Sequence, residues 1–415
     1  MPDMNRVTLL AGNGCDRATA YSMSNKVVRH RDGVFVTWLD DRLRIILAQV
    51  DPVTGAVVAA FPLAQGIDNH CGAALTLGAD GALHVMAGGH GTNGFIHRYS
   101  STPADPASWS LPEAVGASST YPSMVTASNG DLVLAYRHMA LHGPWSICVV
   151  SRPPGGAWSW CNALVNAPAP GYMYPNNCLS VAPDGTLHLL VEFRKTFPEG
   201  RDTMRSMAVT HLQSADNGVT WVHDDGRPVS SSPAGIEDCV LIDYDPAGSL
   251  RPANLVALPD GCLWCGIWNQ RTGAAGLLRR ETSGDWKRVD LASAIAMATP
   301  AMLPNSELNL TVDRDGSLLA VFTVAPALHW AHPGNEILCL WLDPATGALR
   351  RHWRVPKADP GQSNWLPSVE MSNGATPAHS PVILFTDGNR GEGLVNSATT
   401  RVRMICMGKE TQQCL

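Results

Sequence analysis

One unit recurs along the chain and constrains its fold more than any other feature. An alternating apolar run leads into an Asp-Gly or Asn-Gly turn, and a second apolar run follows. It first reads KVVRHRDGVFVTW from Lys26 to Trp38, then returns around Asp80-Gly81, Asn129-Gly130, Asp184-Gly185, Asp260-Gly261 and Asp315-Gly316. A degenerate seventh copy, SVEMSNGATPAHSPVILF, runs from Ser368 to Phe385 with a lengthened turn. The period-2 alternation is that of strands, and Asp-Gly or Asn-Gly suits a tight hairpin because these residues tolerate positive φ. The first six turns begin at 32, 80, 129, 184, 260 and 315, in steps of 48, 49, 55, 76 and 55. Repeats of about 40–50 residues with a central hairpin mark the four-stranded blades of a β-propeller.

One such turn would be an ordinary hairpin. Seven in series predict an all-β, seven-bladed propeller of four-stranded antiparallel blades, one domain over 1–408 with a polar tail at 409–415. The long 76-residue step holds SADNGVTW, Ser214 to Trp221. This fits an Asp-box, in which the Asp side chain ties the turn and the Trp packs between blades.

Composition sharpens the reading by exclusion. Of the 415 residues 45% are hydrophobic and 16% charged, enough for a large core, and the formal net charge is -6. That balance lacks the basic footprint of a nucleic-acid or anionic-membrane binder. No apolar run approaches the roughly 18 residues of a membrane span. The opening MPDMNRVTLLAG is too short in apolar residues for a secretory signal. Eleven cysteines without framework spacing read as reduced thiols. The expectation is a monomer that is cytoplasmic, with a processed secreted protein as the alternative.

The hairpins also place chemistry. The first strand of each begins, and the second ends, opposite the turn, so on inner strands these ends converge on one face. His70 and His90 lie ten residues either side of Asp80, and Tyr121 and Arg137 lie eight either side of Asn129. Around Asp184, Tyr174 and Asn176 precede the turn and Arg194 follows it. Other blades offer less reactive groups there, such as Asn269 and Trp365. His84 and His188, each in an Asp-Gly-x-Leu-His run, read as packing residues.

This set suits removal of a proton α to a carboxylate. Cleaving a 4-linked uronide by β-elimination requires a cation to neutralise the carboxylate, and a bidentate Arg does so. A base takes the C5 proton and an acid protonates the departing O4; neutral His and Tyr serve as either. The chemistry requires no cofactor and no covalent nucleophile. Taken singly, Arg137 could equally hydrogen-bond loop carbonyls.

These residues carry a resemblance. Asp68 to His90, with Thr120-Tyr121-Pro122 and Tyr136-Arg137, resembles the BNR-repeat propeller polysaccharide lyases of the ulvan lyase and rhamnose–glucuronate lyase type. The Asp-box and NWLPSVE, Asn364 to Glu370, extend the likeness. The resemblance implies His70 and Tyr121 as the acid–base pair, with the order open, Arg137 as carboxylate neutraliser and His90 as a supporting histidine. It implies a uronate-containing oligo- or polysaccharide as substrate; Tyr174, Asn176 and Arg194, placed on the same face by the hairpin spacing, are the expected binding residues. A propeller α-L-rhamnosidase-like hydrolase and a non-catalytic glycan-binding propeller are the rival classes. Sialidase is disfavoured, because the Arg-Ile-Pro segment and a Tyr–Glu nucleophile pair are missing. Cys262-x-x-Cys265 with Cys239, His211 and His223 allows a structural metal, but i and i+3 of a strand face opposite sides, which favours buried thiols.

Overall fold

Each of the six regular turns joins the two innermost strands of a blade. The computed structural model describes residues 5–31, 33–102, 104–141, 143–167, 177–195, 205–229, 233–246, 249–371, 377–389, 391 and 393–408. Seven antiparallel sheets span 27–65, 74–115, 119–166, 177–244, 250–290, 303–354 and 364–406, here blades one to seven. The N-terminal strand Arg6–Gly14 pairs antiparallel with Thr400–Cys406 and becomes the outer strand of blade seven. Chain start and chain end thus close the ring together, and no blade is left without its fourth strand.

The turn chemistry differs from the sequence expectation in one respect. The glycines adopt positive φ (79° at Gly81, 89° at Gly130, 87° at Gly185), while the Asp and Asn before them do not. Those side chains instead accept a hydrogen bond from the backbone two residues on: Asp80 Oδ1 from Ala82 N at 2.9 Å, Asp184 Oδ1 from Thr186 N at 2.9 Å and Asp315 Oδ1 from Ser317 N at 2.9 Å. Gly81 N donates to Gly78 O and Gly78 N to Ala82 O, which makes a three-residue loop with the glycine in the left-handed position.

In the Asp-box, Asp216 Oδ1 accepts from Thr220 N at 2.9 Å and from Ser214 Oγ at 2.8 Å, and Trp221 is buried in the core shared by blades three and four. Blades one and six use a related device at the same third-to-fourth strand turn. Asp51 Oδ1 and Asp343 Oδ1 each accept two backbone N–H groups within Asp-Pro-x-Thr-Gly-Ala.

One expectation is corrected. Cys148, on the third strand of blade three, is bonded to Cys161, beside the start of the fourth strand, with Cα atoms 5.5 Å apart. An odd total does not bar a pair, and adjacent antiparallel strands bring these two thiols within bonding range. The other eight described cysteines are free thiols. Cys262 and Cys265 lie in separate apolar clusters, on opposite faces of their strand.

His84 and His188 reveal a duplicated ladder. In blade two, His84 Nδ1 lies 3.1 Å from His97 Nε2, and His97 Nδ1 lies 3.3 Å from Glu113. In blade four, His188 Nδ1 lies 3.0 Å from His211 Nε2, and His211 Nδ1 lies 2.8 Å from Asp224. Burial pushes His84 down to about 4, His97 down to about 3 and His188 well below the usual imidazole range. Between pH 6.5 and about 3 the unfolded chain therefore binds protons that the folded chain refuses, so stability falls as pH falls. We expect a melting temperature that drops steeply across that window. His84→Gln with His188→Gln should flatten the slope, and a flat profile in the parent protein would refute the ladder as its cause.

Candidate active site

The face that receives the site follows from strand direction. In every blade the inner strand starts, the second strand ends and the fourth strand ends on the same side of the ring. Loops between blades, and loops between second and third strands, must therefore lie over that face. His70 sits in the connection from blade one to blade two, and His90 in the loop after strand Leu83–Gly88. Tyr121 and Arg137 lie on the paired strands Ser119–Thr126 and Leu132–His138.

Tyr121 occupies a β-bulge. Thr120 pairs with Arg137 and Ser123 with Ala135, so Tyr121 and Pro122 together oppose Tyr136. Its φ is 60°, uncommon for an aromatic residue and costing of order 1–3 kcal/mol. Leu366 repeats the feature in blade seven, with φ 49° and a bulge between Trp365 and Ser368. Bulges re-aim side chains beside active sites. Here the bulge turns the Tyr121 ring inward, where it is 1% exposed.

Four of the expected residues come together. The His70 and His90 rings stack at 4.9 Å, His90 and Tyr121 lie 6.5 Å apart, and Arg137 Cζ is 4.6 Å from the Tyr121 ring centre. Arg137 Cζ also lies 4.7 Å from the Trp145 ring centre. Asp68 holds both histidines: its Oδ2 is 2.5 Å from His90 Nδ1, and its Oδ1 accepts from His70 N at 2.8 Å.

The His70 tautomer follows from its neighbours. Asn69 Nδ2 donates to Asp16 Oδ1 at 2.9 Å, so the amide oxygen of Asn69 is the atom facing His70 Nδ1, at 2.6 Å. Nδ1 therefore carries the proton and donates it. Arg17 Nη1 stands 3.0 Å from Nε2, and since arginine only donates, Nε2 presents its lone pair.

Other expected residues fall elsewhere. Arg194 lies on strand Leu187–Lys195 in the field of the fully buried Glu192. Glu192 is 3.6 Å from Arg251, which in turn pairs with Glu307 at 2.5 Å. Burial pushes the Glu192 carboxyl up, with Arg251 opposing. Tyr174 and Asn176 lie outside the described residues. Asn269 Oδ1 caps a turn by accepting from Arg271 N and Thr272 N, and Trp365 is buried 6.0 Å from Trp330.

Sequence reasoning passed over Arg17, Tyr21 and Asp68. Arg17 Nη1 donates to Tyr21 Oη at 2.8 Å, and the Tyr21 ring meets Tyr121 edge-on at 4.9 Å. Beside Tyr21 opens a small cleft, lined among others by Arg251, Ser306, Glu307, Asn309 and Leu366.

A seven-bladed propeller with a His–His–Tyr–Arg cluster at the loop-bearing face defines the class. A family model described as "BNR repeat-containing family member" matches residues 34–254, more than half of the chain. The chain belongs to the BNR repeat-containing family. It is similar to an ulvan lyase of Nonlabens ulvanivorans, 33% identical over 93 residues, which are 19% of this chain and 20% of that enzyme. The match thus spans about a fifth of that relative's length. Among solved structures, a polysaccharide lyase described as an ulvan lyase bound to -[GlcA(1-4)Rha3S]- superposes with a TM-score of 0.73 at 13% identity, covering 98% of this chain and 96% of that one. The polysaccharide lyase Uly1 superposes with a TM-score of 0.60 at 14% identity, covering 97% and 99%. At such identities the superpositions establish a shared fold.

Proposed function

We propose that this chain is a polysaccharide lyase that cleaves the glycosidic bond at O4 of a hexuronate by β-elimination. The observation that carries the reading is the convergence of His70, His90, Tyr121 and Arg137 in one cluster whose His70 offers an Nε2 lone pair. The family and the fold shared with the ulvan lyases support it.

The geometry supports the following roles. His70 Nε2 takes the C5 proton, because Nδ1 is committed to Asn69. The electrons of the C5–H bond form the C4=C5 double bond as the C4–O4 bond breaks. Tyr121 gives its phenolic proton to the departing oxygen, and the proton taken by His70 then returns to the Tyr121 phenolate through water, which restores both groups. Arg137, in contact with the Tyr121 and Trp145 rings, neutralises the uronate carboxylate, and His90 is oriented by Asp68. Proton transfer of this kind supplies about 10²–10⁴-fold in rate. The substrate class is a rhamnose–glucuronate polymer or oligosaccharide. No redox step occurs, so the elimination calls on no electron-transferring cofactor.

The test is to incubate the protein with ulvan, gum arabic side chains and other uronans while following ultraviolet absorbance. The expected result is growth of the absorbance of a 4,5-unsaturated uronide. New reducing ends without that absorbance would instead identify a hydrolase. Binding without any product would identify a glycan-binding propeller.

A further inference from the structure

The connection 15–26 carries a guanidinium into the site. Arg17 Cζ lies 5.0 Å from the Trp330 ring centre, which supports the flat face of the group and leaves its edge for hydrogen bonds. That edge serves Tyr21 Oη at 2.8 Å, His70 Nε2 at 3.0 Å and Gly393 O at 3.3 Å. The atom it covers on His70 is the lone pair that the elimination needs. In this arrangement the base cannot reach a C5 proton, because an N–H of Arg17 already occupies it.

A carboxylate is a better partner for a guanidinium than an imidazole nitrogen. It carries a full charge and two oxygens spaced for a bidentate pair. We propose that Arg17 is a carboxylate sensor: it caps His70 Nε2 until a uronate carboxylate draws the guanidinium away, so the base is uncovered only when an acidic sugar is bound. The inference rests on the reading of His70 as the base of a uronate lyase and adds how that site selects its substrate. Tyr21 makes the exchange local. It hydrogen-bonds Arg17 and touches the Tyr121 ring, so a displaced Arg17 also reports to the proposed acid.

The consequence runs against solution chemistry. Methyl esterification makes the C5 proton more acidic and should favour elimination, yet an ester cannot draw Arg17 from His70. A preference for the free acid is therefore the signature of the sensor. The probes are an ulvan-derived oligosaccharide and the same oligosaccharide after methyl esterification. Affinity is measured by calorimetry and elimination by absorbance, on the full-length protein, Arg17→Ala and Arg17→Gln. The Gln variant retains an N–H donor for the packing while losing the charge, and melting curves confirm that each variant is folded.

For the parent protein we expect the acid to exceed the ester by about a hundredfold in affinity or kcat/KM. Both variants should narrow that ratio by about tenfold, the remainder being the share carried by Arg137. Guanidinium ion added to Arg17→Ala should restore part of it. A folded Arg17→Gln protein that still prefers the acid as strongly as the parent overturns the sensor. If the Arg17 variants narrow the preference in binding while no uronan yields an unsaturated product, Arg17 remains the carboxylate-binding group, and the lyase reading falls together with the uncovering of a base.

Discussion

Tyr121→Phe is expected to fold like the parent protein and to lose about 10³-fold in turnover. The substitution removes one oxygen and nothing else. The ring keeps its packing against Arg137 at 4.6 Å and its edge contact with Tyr21 at 4.9 Å. Phenylalanine meets the same cost as tyrosine at φ 60°, so the bulge is no more strained than before. The melting temperature should therefore change little while the proton donor for O4 disappears. Initial rates from ultraviolet absorbance, set beside thermal melts, check both halves. A variant that turns over at the parent rate would reduce Tyr121 to a packing residue, and the acid would have to be sought elsewhere in the cluster.

Why Tyr121 was visible from the sequence, and Arg17 was not, has a physical reason. The hairpin turns fix which strand ends converge, and counting outward from Asn129 reaches Tyr121 and Arg137 without any coordinates. His70 and His90 lie just beyond their strands, and the same count still reaches them. Arg17 and Tyr21 belong to no hairpin. They lie in the connection from the outer strand of blade seven, Arg6–Gly14, to the inner strand of blade one, Val27–His30. That connection crosses the loop-bearing face only because the N-terminal strand closes the ring. The repeat spacing says nothing about which terminus closes it; the pairing of Arg6–Gly14 with Thr400–Cys406 does.

Asp68 illustrates a second limit. Its neighbour His70 is legible as a reactive group, but an acid two residues earlier reads as loop polarity until its Oδ2 is seen on His90. The turns show the opposite case. Their position was legible, whereas the part played by Asp and Asn was not, because side-chain acceptance and positive φ leave the same residues in the sequence. The histidine ladders lie between these cases. Asp-Gly-x-Leu-His marks His84 and His188 as a repeat, but His97, His211 and the carboxylates come from third strands and beyond, at spacings set by loop length.

Arg137 separates chemistry from packing only if two variants are compared. The residue is 1% exposed, and its guanidinium lies 4.6 and 4.7 Å from the Tyr121 and Trp145 ring centres. Each desolvated contact of this kind contributes about 1–2 kcal/mol, and truncation also leaves a cavity. Arg137→Ala is therefore expected to destabilise the protein by about 3–4 kcal/mol, and to let the Tyr121 ring move. Lost turnover in that variant would not by itself identify a carboxylate ligand. Arg137→Lys keeps the charge and most of the buried stem but loses the planar fork that matches a carboxylate. It should melt close to the parent and still lose about 10²-fold in kcat/KM. Steady-state rates and melts on both variants decide the matter. A stable Arg137→Lys protein with parent-like kcat/KM would leave Arg137 as the support of Tyr121, and carboxylate recognition would pass to Arg17, the guanidinium that touches His70.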